Sequence, residues 1–200
     1  MKNLVIGQSG GPTAVINASL YGAVKAFKES GTDGHVLGMI NGIEGFLADH
    51  VMDLSTDLSD EELELLKLTP AAYLGSCRYK LPADLESEVY PAIFDNFREM
   101  NIGYFLYVGG NDSMDTVDAL AEWAAENAPS KRFIGIPKTV DNDLVPVDHC
   151  PGFPSAAKVA CQITHATRLD YDAYTRPEVF VLEVMGRAAG WLAASCCITG

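Results

Sequence analysis

The residue order predicts an α/β fold, a doubly wound and mostly parallel sheet with helices on both faces. Three observations carry it. Short apolar runs alternate with stretches of helical apolar spacing, and that alternation builds a parallel sheet covered by helices. Some runs are apolar at consecutive positions, as strands buried on both faces are; residues 133–136 are an example. Glycine-rich turns close two of the runs directly before a helix.

The elements follow in order. Residues 4–6 form a first strand, and the turn holding Gly7, Gly10 and Gly11 opens a helix. Ile16, Leu20, Ala23, Val24 and Phe27 recur at helical spacing, with Gly31 as the stop. A second strand spans 36–40, residues 41–59 are irregular, and 60–68 make a short acidic helix whose Glu61, Glu62 and Glu64 face solvent. Leu85, Val89, Ile93 and Phe97 mark an amphipathic helix, and 104–108 is a strand ended by Gly109 and Gly110. Met114, Val117, Leu120, Ala121 and Ala124 mark the next helix, with Asp112 or Ser113 as its cap. After the buried strand at 133–136 come a helix over 155–168, a strand over 179–184 and a helix from Ala188. The expected division is a first domain over 1–145 and the start of a second over 146–200. Residues 191–200 read as a helix that packs against something further on, so the chain reads as an N-terminal portion.

Composition excludes several classes of function. The 200 residues are 48% hydrophobic with 18 Gly and 10 Pro, the make-up of a turn-rich globular protein. A formal net charge of −13 argues against nucleic-acid or acidic-membrane partners, which need a basic face. Any phosphate ligand must therefore be held by local amides, Lys, Arg or a metal against a repulsive long-range field. No apolar run is long enough to cross a membrane, and the start of the chain does not read as a signal peptide. Five cysteines at irregular spacing, with no CxxC, fit free and mostly buried thiols in a reducing cytoplasm.

Chemistry concentrates where the strands end. The stretch Pro137, Lys138, Thr139, Val140, Asp141, Asn142, Asp143 brings a cation, a hydroxyl and two carboxylates to the carboxyl end of a strand, the ligand edge of such a sheet. A polar turn is the plainer reading of the same residues. Gly10 and Gly11 before one helix, and Gly110, Asn111 and Asp112 before another, let backbone amides approach an anion at a helix N-terminus. Both also serve as ordinary tight turns, and Asp112 as an ordinary cap. Met185, Gly186 and Arg187 follow a further strand, where Arg187 suits a phosphate or sugar clamp and equally a surface ion pair. His35, His50, His149 and His165 show no ligand spacing and read as structural or solvated.

Taken together these motifs, with Asn17, the Gly75, Ser76, Cys77, Arg78 loop and Pro151, Gly152, Phe153, resemble the phosphofructokinase family in order and spacing over the whole chain. The resemblance is to its pyrophosphate-dependent branch. It implies a phosphofructokinase-like fold and phosphoryl transfer to the 1-hydroxyl of fructose 6-phosphate with Mg²⁺, in a cytoplasmic homo-oligomer. Asp141 is then the base, flanked by Thr139 and Asp143. Thr139, Val140, Asp141, Met185, Gly186 and Arg187 contact the sugar phosphate. Gly10, Gly11, Arg78, Gly110 and Lys138 face the donor phosphates, and Asn111 with Asp112 supply metal ligands.

Two positions name the donor. ATP-dependent members carry glycine where Asp112 and Lys138 stand; a carboxylate at 112 repels a nucleotide's α-phosphate, and Lys138 pairs with pyrophosphate. Asn111 replaces the usual aspartate, Pro12 stiffens the first turn, and Glu178 stands where many members have an arginine, with Arg176 nearby. The competing readings are an ATP-dependent member, a lipid or dinucleotide kinase, and a non-catalytic regulatory subunit. The Met185 to Arg187 turn and the Gly75 to Arg78 loop argue against the second, and Asp141 against the third.

Overall fold

The computed structural model describes residues 2–198. They fall into two compact units, Met1–Lys138 and Thr139–Gly200, divided ahead of residue 145.

The first unit is built on five strands: β1 (Asn3–Gln8), β2 (Val36–Met39), β3 (Val51–Asp53), β4 (Ile102–Gly109) and β5 (Arg132–Pro137). Their order is β3-β2-β1-β4-β5, all parallel except the β2–β3 pair. Side-chain alternation splits the sheet into two apolar layers. Leu4, Ile6 and Val108 face one side, with Ile16, Leu20 and Val24 of α1 (Ile16–Glu29) and Leu63 and Leu66 of α3 (Asp60–Leu66). Val5, Phe105 and Tyr107 face the other. There they meet α2 (Gly42–Leu47), α4 (Val89–Glu99) and α5 (Asn111–Asn127) through Phe46, Phe94, Phe97 and Leu120. Helices on both faces of a mostly parallel sheet are the predicted class.

Local differences from expectation have identifiable causes. Residues 41–59 are not irregular: they hold α2 and β3. The six residues of α2 include two glycines and read poorly as helix, yet burial of Ile43 and Phe46 holds them in one. The strand β3 is three residues long, too short to show alternation. The helix after β4 is capped at Gly110, so Asp112 and Ser113 sit in its first turn and neither is the cap. Strand β5 is not buried on both faces; it is the edge of the sheet among the described residues, and Ile134 is 55% exposed. Of the thiols only Cys77 and Cys150 are buried.

The second unit contains α6 (Phe153–Asp172) and α7 (Trp191–Cys196), where Cys161 Sγ meets the Ser195 carbonyl at 3.1 Å. Helix α7 begins three residues after Ala188. Residues 179–184, expected as a strand, form none: Val179 and Val181 are largely exposed. A β-rich run becomes a strand only where a neighbouring edge offers hydrogen bonds, and no strand pairs with this one among the described residues.

Candidate functional site

The predicted donor residues converge in the first unit, at the carboxyl ends of β1, β4 and β5. Gly10 takes a left-handed φ of 74°, which reverses the chain after β1. Its N–H donates to the Cys77 carbonyl at 3.1 Å, and its carbonyl accepts from Ser76 Oγ at 2.6 Å. The loop ending at Arg78 is thereby docked on the Gly10 turn, with Arg78 itself exposed.

Lys138 joins the same turn from across the sheet. Its backbone N–H continues the β4–β5 pairing by donating to Gly109 O at 2.9 Å. Its side chain reaches back past β4, and Nζ donates to Gly11 O at 2.5 Å. The residue is only 4% exposed. An ammonium buried this far is costly unless it meets acceptors or an anion, and the Gly11 carbonyl is one such acceptor.

Gly109 and Gly110 lead into α5. A Cβ on Gly109 would lie 2.0 Å from Ser113 Oγ, which explains glycine at the point where strand turns into helix. The 17-residue α5 presents the N–H groups of its first turn at this edge. Asp112 lies on that turn, exposed, with Oδ1 3.1 Å from Lys80 Nζ. Asn111 beside it is also exposed. The Tyr107 hydroxyl lies 3.5 Å from Cys77 Sγ, and burial pushes its phenol well above the ordinary range, so it stays neutral.

In the second unit, residues 139–143 make a tight loop. Asp141 N–H donates to Thr139 Oγ1 at 3.1 Å, and Thr139 N–H to Pro151 O at 3.2 Å. Asn142, at φ 55°, anchors the loop: its Oδ1 accepts from Cys150 N at 2.7 Å and its Nδ2 donates to Asp148 O at 2.9 Å. Thr139, Val140 and Asp141 are half-buried and Asp143 is exposed. A recess of about 1130 Å³ adjoins Asp143, lined also by Leu144, His149 and Trp191. Met185, Gly186 and Arg187 do not line it. They lie in the irregular stretch before α7, not after a strand, with Gly186 at φ 126° and Arg187 exposed.

Lys80, Asn142 and Gln8 are residues to which the sequence reading gave no role of their own. Asn142 had a signal, since asparagine tolerates the left-handed conformation a turn between two aspartates requires. Lys80 had none, because its pairing with Asp112 exists only after folding. Of the four histidines, His35 proves paired, with Nδ1 2.6 Å from Asp53 Oδ2.

Asn111 and Asp112 stand together as hard oxygen donors on one helical turn. Among the described residues no group of three or more His, Cys, Asp or Glu side chains gathers as a metal cage. Two oxygen donors suit Mg²⁺ that arrives with phosphate, since Mg²⁺ is ordinarily held by one or two carboxylates plus substrate phosphates.

Residues 3–200 match the phosphofructokinase family. The chain belongs to that family. It is 42% identical over 192 residues to the pyrophosphate–fructose 6-phosphate 1-phosphotransferase of Rhodospirillum rubrum, covering 96% of this chain and 46% of that protein. It is 39% identical over 191 residues to a sulfofructose kinase of Alkalicoccus urumqiensis, covering 95% and 48%. Among solved structures, a pyrophosphate-dependent phosphofructokinase from Nitrosospira multiformis superposes with a TM-score of 0.92 at 41% identity, covering 99% of this chain and 49% of that one. The chain thus spans about half the length of the curated relatives it matches.

Proposed function

We propose that this chain carries the phosphoryl-donor site and the general base of a pyrophosphate-dependent 6-phosphofructokinase. The enzyme moves a phosphoryl group reversibly from pyrophosphate to the 1-hydroxyl of fructose 6-phosphate. One observation carries the reading: the ammonium of Lys138 is buried against the Gly10–Gly11 turn, on the sheet edge where α5 presents Asp112. A site for pyrophosphate needs a fixed cation there, and a carboxylate at the start of α5 disfavours the α-phosphate of a nucleotide.

In the reaction, the Asp141 carboxylate accepts the proton of the sugar 1-hydroxyl. The freed oxygen attacks the terminal phosphorus of pyrophosphate and the bridging P–O bond breaks. Fructose 1,6-bisphosphate and phosphate are the products. Gly10, Gly11, Gly110, Arg78 and Lys138 hold the donor, and Lys138 and Arg78 neutralise charge on the leaving phosphate. Thr139, Val140, Met185, Gly186 and Arg187 hold the sugar phosphate, and Asp143 supports the base. Positioning and charge neutralisation are what phosphoryl transfer asks of a protein. Bound Mg²⁺, held by Asn111, Asp112 and the donor oxygens, would supply further neutralisation. The donor residues fall in 1–138 and the base in the loop that follows. The working enzyme is a cytoplasmic homo-oligomer.

A coupled assay of the full-length protein tests this, with Mg²⁺, fructose 6-phosphate and either pyrophosphate or ATP. Turnover with pyrophosphate alone is expected. Turnover with ATP alone overturns the donor assignment, and a preference for sulfofructose over fructose 6-phosphate overturns the acceptor.

A further inference from the structure

Gln8 and Asn17 are polar yet almost wholly enclosed, at 0% and 1% exposure, and neither is among the residues assigned to substrate. Their side-chain amides bond to each other, Gln8 Nε2 to Asn17 Oδ1 at 2.9 Å. Gln8 Nε2 also donates to Ile16 O at 3.4 Å, which ties it to the first turn of α1. The remaining capacity of the pair goes to one segment. Gln8 Oε1 accepts from Leu74 N–H at 2.9 Å, Asn17 Oδ1 from Tyr73 N–H at 2.8 Å, and Asn17 Nδ2 donates to Thr69 O at 2.9 Å.

That segment, 69–78, has no helix or strand of its own. Its backbone groups must therefore find partners elsewhere. Apolar burial alone does not position it: Leu74 joins the core with Ala72 packed beside it and Cys77 is buried, while Thr69, Pro70, Ala71 and Tyr73 are exposed. Hydrophobic contact is also non-directional, whereas hydrogen bonds to a rigid amide pair specify register. Past Leu74 the segment meets the Gly10 turn through Ser76 Oγ and the Cys77 carbonyl. Arg78 is the next residue.

We propose that Gln8 and Asn17 are positioning residues, a buried two-amide clamp that sets the 69–78 segment on the β1–α1 turn and so fixes where Arg78 meets the pyrophosphate donor. This rests on the function proposed above. The clamp acts on the donor alone, because the segment touches the donor turn and the sugar residues belong to the other unit.

The test compares Gln8→Met, which keeps shape and removes the amide, and the milder Asn17→Ser, each with and without Arg78→Ala, in the full-length protein. Each clamp variant is expected to raise the KM for pyrophosphate about tenfold and to leave the KM for fructose 6-phosphate within about twofold. In the Arg78→Ala background the same substitutions should change the pyrophosphate KM less than about twofold, because residues acting through one another are not additive. A wild-type pyrophosphate KM in folded variants overturns the clamp, as does a full tenfold effect that persists without Arg78. Insolubility of both variants would make the pair a folding determinant and also overturn it. If the unsubstituted protein shows no pyrophosphate-dependent activity, the functional proposal itself fails, and the clamp with it.

Discussion

Among single residues, Lys138 is the most telling. A lysine at 4% exposure is uncommon, and here the ammonium donates to the Gly11 carbonyl at a glycine turn. Replacing Asp112 and Lys138 together by glycine should lower kcat/KM for pyrophosphate by about 10²–10³-fold, the order of loss that follows removal of one preorganised donor facing developing charge. Unchanged pyrophosphate kinetics in that double variant would refute the donor assignment. Asp141→Asn keeps the loop's backbone bonds, since those use Thr139 and Asn142 and not the carboxylate. It should cut kcat by about 10²–10⁴-fold with little change in either KM, as loss of a general base does. Steady-state kinetics of the purified variant decides it.

For the elements, the connection from β4 into α5 is the tightest in the fold. Gly109→Ala drives a methyl carbon onto Ser113 Oγ, so either the turn or the first turn of α5 must shift. The expected loss is about 1–3 kcal/mol in urea unfolding, the range for forced overpacking, with a raised KM for pyrophosphate. Ser113→Gly in the same protein should restore part of it. On the same face of the sheet, α4 is held by aromatic packing that includes α5: the Phe94 ring lies 4.3 Å from Trp123 and 5.0 Å from Phe97. Phe94→Ala should cost about 3–5 kcal/mol by the same measurement while leaving substrate KM values unaltered in the folded fraction. A loss under about 1 kcal/mol would show that the cluster collapses readily around the gap.

At the scale of all 200 residues, the proposed function makes charge the thing that decides how pyrophosphate would arrive. The net charge of −13 on these residues would oppose the free anion at long range, and local cations at one sheet edge would have to reverse that over a few ångströms. Chelation of Mg²⁺ should therefore abolish turnover, and readdition should restore it in proportion to the Mg²⁺–pyrophosphate complex and not to total pyrophosphate. A rate set by total pyrophosphate at limiting Mg²⁺ would contradict this. Titration of the metal at fixed pyrophosphate reads it directly.

Much of this was legible before folding, for a physical reason. Apolar period, glycine turns and helix spacing are local properties, and they placed β1, α1, β2, α3, β4 and α5 near their observed positions. The motif order Gly10–Gly11, Gly110–Asp112, Lys138–Asp143 and Met185–Arg187 was enough to name the family. What local pattern lacked was the neighbour. Residues 179–184 have the composition of a strand, but a strand is defined by the edge that pairs with it. In α2, burial of Ile43 and Phe46 outweighed two glycines. The pairing of Lys80 with Asp112, the reach of Lys138 to Gly11 and the Gln8–Asn17 clamp on residues 69–74 join positions 32 to 127 residues apart in sequence or cross strands to do so. Such contacts are decided by sheet order, which no window of the chain contains. The chain alone determined which polar and glycine residues stand at the strand ends, because that is a local property, and tertiary structure decided which of those ends meet.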